Sequence, residues 1–135
     1  MTTRGIRNNN PLNMEPGGWN GEIGNDGRFA IFDTMANGIR APCKNFIVYH
    51  DKYGIDTVRG IVNRWAPPSE NDTENYIHFV CHILTLQPDD HMDMRSPDTL
   101  FWLITAMGEM ENGADNFTAG VSDADIDAGI AAALA

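Results

Sequence analysis

Glu111 stands where a carboxyl group can be held protonated. Apolar residues recur at helical spacing over residues 97–111, and at 100° per residue Leu100, Leu103, Ile104 and Met110 all fall within about 60° of Met107. Glu111 falls inside the same stripe, at about 40°, whereas Glu109 lies near about 200° on the opposite side. A carboxyl on a core-facing stripe loses solvation, and at a helix C-terminus it meets the negative end of the dipole. Both effects favour the protonated form. A group of this kind is suited to general acid catalysis, above all to glycosidic-bond cleavage, where the leaving oxygen must receive a proton near neutral pH. The alternative is a surface carboxylate at a fraying helix end.

Other chemically capable residues cluster near the N-terminus. Arg4-Gly-Ile-Arg-Asn-Asn-Asn-Pro11 is a polar segment that cannot continue as a helix into Pro11, and Asn8, Asn9 and Asn10 can offer amide donors and acceptors in a fixed array. Trp19, Phe29 and Phe32 follow closely and argue for order over a frayed terminus. Glu22, Asp26 and Asp33 are candidates for a second carboxylate, which a hydrolase of the two-carboxylate type requires. His78 and His82 stand at i and i+4, but Phe79-Val80-Cys81 separates them in place of a Glu-containing zinc motif, so they read as helix-surface residues and no metal is expected. No other cofactor is implied.

The elements that must position these groups are those of a small protein. With 135 residues and 42% apolar content, the chain is expected to form one domain with a single core. Cys43 and Cys81 each sit in an apolar-periodic stretch and read as buried thiols rather than a disulfide. Net charge is −10, and it is unevenly spread: the first 65 residues hold eight of the nine Lys and Arg against six acids, the remainder one against thirteen. This balance disfavours nucleic acid as a partner and gives the C-terminal half an acidic face. No apolar run is long enough for a membrane span, and no leader pattern is expected at the start.

Asp26-Gly27 before Arg28-Phe-Ala-Ile-Phe32 predicts a hairpin, hence a small antiparallel β-ribbon. Residues 1–18 read as loop. Five helices are expected: about 37–53 closed by Gly54, 57–64 stopped by Pro67-Pro68, a third led in by Ser69-Glu70-Asn71-Asp72-Thr73 and ended by Gln87-Pro88, 97–111 after Ser96-Pro97, and a last one capped by Ser122. Glu70 reads as a helix-opening residue rather than a catalyst. The fold class expected is mainly α with a small β-ribbon, within α+β.

Taken in order, Arg4-Gly-Ile-Arg-Asn-Asn-Asn-Pro11, Trp19-x-Gly21, Phe29-x-x-Phe32, Gly38-Ile-Arg-Ala41, Trp65-Ala-Pro-Pro68, Glu70-Asn-x-Thr73, Tyr76-Ile and Ala106-Met…Glu111-Asn-Gly113 resemble a group of tailed-phage proteins, described as virion structural proteins or lysozyme-like lytic enzymes. Leu12 departs from the glycine usual there. A weaker similarity runs to autolysin-type glucosaminidases and lytic transglycosylases, whose catalytic glutamate lies on a helix ahead of the ribbon. Here the matching helix, Ala106 to Gly113, comes near the C-terminus, which implies a circularly permuted lysozyme-like fold. The resemblance implies Glu111 as catalytic acid, with Tyr76, Trp65, Asn9 and Asn10 lining the sugar cleft; Trp19 joins them as a substrate-binding candidate. It further implies bacterial peptidoglycan as substrate, other virion proteins as further partners, and delivery to the wall either in the virion or through a pore formed by another protein. The rival reading is a non-catalytic virion or wall-binding protein.

Overall fold

The computed structural model describes residues 2–66 and 72–135. Pro67-Pro68, Ser69, Glu70 and Asn71, which carry part of the expected helix signals, lie outside the described residues. The chain is mainly helical with a two-stranded antiparallel sheet, in the order α1 (Arg4–Arg7), β1 (Glu22–Asn25), β2 (Ala30–Phe32), α2 (Met35–Tyr53), α3 (Val58–Trp65), α4 (Thr73–Leu84), α5 (Pro97–Asn112), α6 (Ala114–Gly120) and α7 (Asp123–Leu134). All five expected helices are present. Two short ones, α1 and α6, add to them.

Local chemistry explains the boundaries. Thr34, Thr57, Asp72, Ser96 and Ser122 each accept a backbone N–H through the side chain at the start of a helix, and Ser122 with Asp125 forms a reciprocal capping box. Gly54 ends α2 in the left-handed conformation. α4 stops at Leu84, earlier than Gln87-Pro88 suggests, because Thr85 takes φ 57° and turns the chain. The expected hairpin turn forms through side-chain acceptors: Asn25 Oδ1 takes the Gly27 N–H, and Asp26 Oδ1 takes those of Arg28 and Phe29.

The helices surround one main core in which Ile39, Phe46, Ile61, Ile77, Leu103, Ile104 and Met107 are buried. Both cysteines are free and buried within it, as their apolar surroundings require. A smaller cluster of Met14, Ala30, Phe32 and Ala41 joins the ribbon to α2, with Trp19 and Trp65 packed against it. α2 runs beside α7, where Ile39 occupies the space that Gly129 leaves open. α5 lies between α4, α6 and α7, so its buried stripe is enclosed while its C-terminal turn emerges beside the N-terminal loop.

That loop is pressed against α2 at Gly38, where any β-carbon would overlap the Asn9 carbonyl oxygen. Backbone meets backbone there, so neither side can give way. We expect Gly38→Ala to lose roughly 3 kcal/mol in urea unfolding, the upper range for overpacking. Gly24→Ala, with nothing near its missing side chain, should stay within about 0.5 kcal/mol.

Candidate active site

A cleft of about 890 Å³ opens between the N-terminal loop, the ribbon turn, the C-terminal half of α2 and the ends of α3 and α5. Its walls include Asn13, Glu15, Trp19, Arg28, Phe29, Asn45, Tyr49, Arg64, Trp65 and Glu111. A second groove of about 520 Å³ between α4 and α5 is lined by Ile83, Met92 and Trp102, but its carboxylates, Asp93 and Asp98, are solvent-exposed. A third groove of about 480 Å³ is lined by His78, Cys81 and His82 and carries no carboxylate, so of these three the first cleft is the one with a half-buried carboxyl, Glu111, on its wall.

Glu111 lies on the last turn of α5 and is half-buried. Asn13 Nδ2 donates to its Oε1 at 3.2 Å. Desolvation is the largest influence on the carboxyl and raises its pKa above the ordinary 4.5; the Asn13 and Tyr76 side chains offset part of that rise. Tyr76, on α4, is 4% exposed, and burial followed by the charge of Glu111 pushes its hydroxyl well above the usual tyrosine range. Among the described residues, Tyr76 Oη and Asn13 Oδ1 are buried polar atoms without a hydrogen-bond partner. Such atoms are costly to leave unpaired, and both belong to side chains that influence the same carboxyl.

Asn112 fixes this arrangement. It is 6% exposed, donates through Nδ2 to the carbonyls of Pro11 at 2.7 Å and Gly108 at 2.9 Å, and accepts the Thr3 hydroxyl at 2.6 Å. The end of α5 is thereby tied to the loop that carries Asn13. Close approach is possible because residue 5 is glycine: a β-carbon there would meet Asn112 Oδ1 at 2.8 Å, the Asn10 carbonyl at 2.9 Å and Asn13 Oδ1 at 3.0 Å. Asn13 itself turns the chain at φ 54°, a conformation that asparagine tolerates better than most residues.

The structure brings Glu111, Trp19 and Trp65 to one cleft, whereas Tyr76, expected to line it, is buried off its wall, where its hydroxyl feels the charge of Glu111. Trp65 also packs on Phe46 at 5.5 Å between ring centroids. The other expected site residues serve the fold. Asn10 is fully buried, donating to the Met14 and Ala30 carbonyls and accepting the Met14 N–H, which leaves nothing for a substrate. Asn9 adopts φ 52°, donates to the Phe32 carbonyl and rests on Gly38.

None of the three carboxylates expected as partners of Glu111 lines the cleft. Glu22 accepts the backbone N–H groups of Gly17, Gly18 and Trp19 at 3.0, 3.1 and 3.3 Å. Asp26 is held far below the ordinary carboxylate range by the Arg4 guanidinium, the Phe29 N–H and the Asn8 amide, so it carries no proton to give. Asp33 is exposed and accepts from Asn37. Sequence reasoning missed Asn13, Glu15, Arg28 and Arg64. Pro11-Leu-Asn13 carries a turn signal, but the other three depend on which way the ribbon and α3 face. His78 and His82 are exposed, and among the described residues no three metal-ligating side chains converge.

Fold and cleft together define a small, mainly helical protein built around one shielded carboxyl in an aromatic-walled cleft. No protein-family model matches the sequence. Protein P5 of Pseudoalteromonas phage PM2 is 41% identical over 122 residues, a match that covers 85% of this chain and 74% of that protein. The chain belongs to the family of this phage protein. No described helix is long and apolar enough to cross a membrane.

The raised pKa of Glu111 has a consequence for stability. A carboxyl that holds its proton more tightly in the native chain than in the unfolded one favours folding in acid, and opposes it as pH rises through the native value. Glu111→Gln keeps the shape and the acceptor for Asn13. Its melting temperature should exceed that of the wild type above neutrality, and the difference should close below pH 4.5, where the acid is protonated in both states.

Proposed function

We propose that this protein cleaves the glycan strand of bacterial peptidoglycan, with Glu111 as the general acid. The observation that carries the reading is a half-buried carboxyl, its pKa raised by desolvation, opening onto a cleft walled by Trp19 and Trp65. Indole faces suit sugar rings. A strand lying across them would bring a glycosidic oxygen to Glu111, which donates its proton as the C1–O bond breaks and positive charge develops on the sugar. The carboxylate left behind can then accept a proton from the attacking water, or from a hydroxyl of the sugar itself.

Glu22, Asp26 and Asp33 are committed to backbone, Arg4 and Asn37 contacts, so they supply no second carboxylate to the cleft. Glu15 is the other described carboxylate on its wall, and it is exposed. This arrangement favours the one-glutamate route, in which the sugar's own hydroxyl closes on C1 and an anhydro product leaves. The reading also accommodates a permuted lysozyme-like order: the end of α5 and the ribbon turn border one cleft, although α5 follows the ribbon in the chain.

Turbidity loss and the masses of fragments released from purified walls test the proposal. Glu111→Gln should lose about 10²- to 10⁴-fold in rate, the range for a general acid. Glu109→Gln should keep the wild-type rate. With the wild type, the rate should fall as pH rises through the value at which Glu111 loses its proton, because only the acid form can protonate the leaving oxygen. A folded wild type that sediments with walls yet releases nothing would instead indicate a wall-binding virion protein.

A further inference from the structure

Two arginines of the cleft bear on what it selects. The protein carries a net charge of −10, yet Arg28 and Arg64 both stand on the wall around Glu111. Each guanidinium is seated on an aromatic face: Arg28 lies 4.7 Å from the Phe29 ring centre, and Arg64 lies 4.1 Å from that of Tyr53 and 5.1 Å from that of Tyr49. Among the described residues neither forms an ion pair, whereas Arg4, Arg59 and Arg95 are each bound to carboxylates. Stacking fixes the plane of a guanidinium; Arg64 also reaches the Tyr49 hydroxyl, and its remaining N–H groups, with those of Arg28, are left for a ligand. An N–H edge of this kind matches a carboxylate, which can accept two parallel hydrogen bonds.

The geometry points to Arg28 and Arg64 as specificity-determining residues that engage carboxylates projecting from the glycan, so that the cleft selects a carboxylate-bearing strand over a neutral one. This rests on the glycan-cleaving reading above. A polymer charged at every unit would meet Glu15 and the acidic remainder of the protein, while a strand charged on alternate sugars can place a carboxylate at an arginine and an uncharged ring between. Two sources supply that chemistry: the lactyl group of the sugar once its peptide has been removed, and the stem peptide while it is attached.

Three substrates separate these sources: glycan with stem peptides, glycan stripped to free lactyl carboxylates, and soluble chitin oligosaccharides, which carry none. The wild type should show a KM on one or both carboxylate-bearing strands about 100-fold below that on chitin, and Arg28→Gln and Arg64→Gln should each erase about tenfold of it, as loss of one charge-assisted hydrogen bond would. Whichever of the first two substrates shows the larger loss identifies the source. Sedimentation of Glu111→Gln with the two wall glycans and with insoluble chitin, with and without each arginine substitution, reads the same preference without turnover. If the wild type cleaves nothing, the enzymatic reading fails and sedimentation still decides the arginines. Equal KM and equal binding on all three polymers, or arginine variants indistinguishable from their parents, would overturn the proposal.

Discussion

The structure depends on asparagine side chains that replace backbone partners where the N-terminal loop has no regular hydrogen bonding. Asn10 is the centre of this device: its amide, shut off from water, serves the backbone of Met14 and Ala30 at once and so ties the loop to β2. Asn112 does the same between the loop and the end of α5. A buried polar group left without its partner costs about 1–3 kcal/mol. Each amide satisfies several such groups, and the ribbon, the loop and α5 are held in one arrangement by side chains from only a few positions. Gly5 and Gly38 belong to the same constraint, since the network closes only if the chains approach without intervening β-carbons.

The site follows from that closure. Once the loop is fastened to α5, Asn13 stands against Glu111 and the carboxyl loses much of its water. Burial of α5 on its other sides leaves Tyr76 behind the carboxyl and the cleft in front. The aromatic residues have a double use: Trp65 packs on Phe46 yet still borders the cleft, and Phe29, Tyr49 and Tyr53 seat guanidiniums that would otherwise be free to wander. The acidic excess of the C-terminal half lies mostly away from this wall, so overall charge says little about what the cleft accepts.

Much of the fold was legible because its signals are local. Thr57, Ser96-Pro97 and Ser122 announce helix starts through bonds made within three residues, and Asp26-Gly27 announces the ribbon turn in the same way. The placement of Glu111 was legible too, because helical periodicity sets which residues face the core. The roles of Asn9, Asn10, Glu22 and Asp26 were not. Their types suit substrate binding or acid–base work, but an amide or carboxylate beside a turn can serve backbone groups equally well, and only the folded chain decides which groups it meets. Arg28 and Arg64 were illegible for the converse reason, since nothing near them in sequence marks the wall on which they stand. The helix α6 was hidden by Gly113, which reads as an end yet also precedes the next helix.

On the proposed reading, the fold holds Glu111 as a proton donor. Carbon-13 NMR titration of the glutamate carboxyls, with Glu111 assigned by its absence in Glu111→Gln, tests it without reference to any substrate. This carboxyl should titrate clearly above the ordinary 4.5, with Tyr76 remaining protonated throughout. A carboxyl that titrates at or below 4.5 would mean that Asn13 and solvent stabilise the charged form more than burial opposes it, and the assignment of Glu111 as the acid would be contradicted.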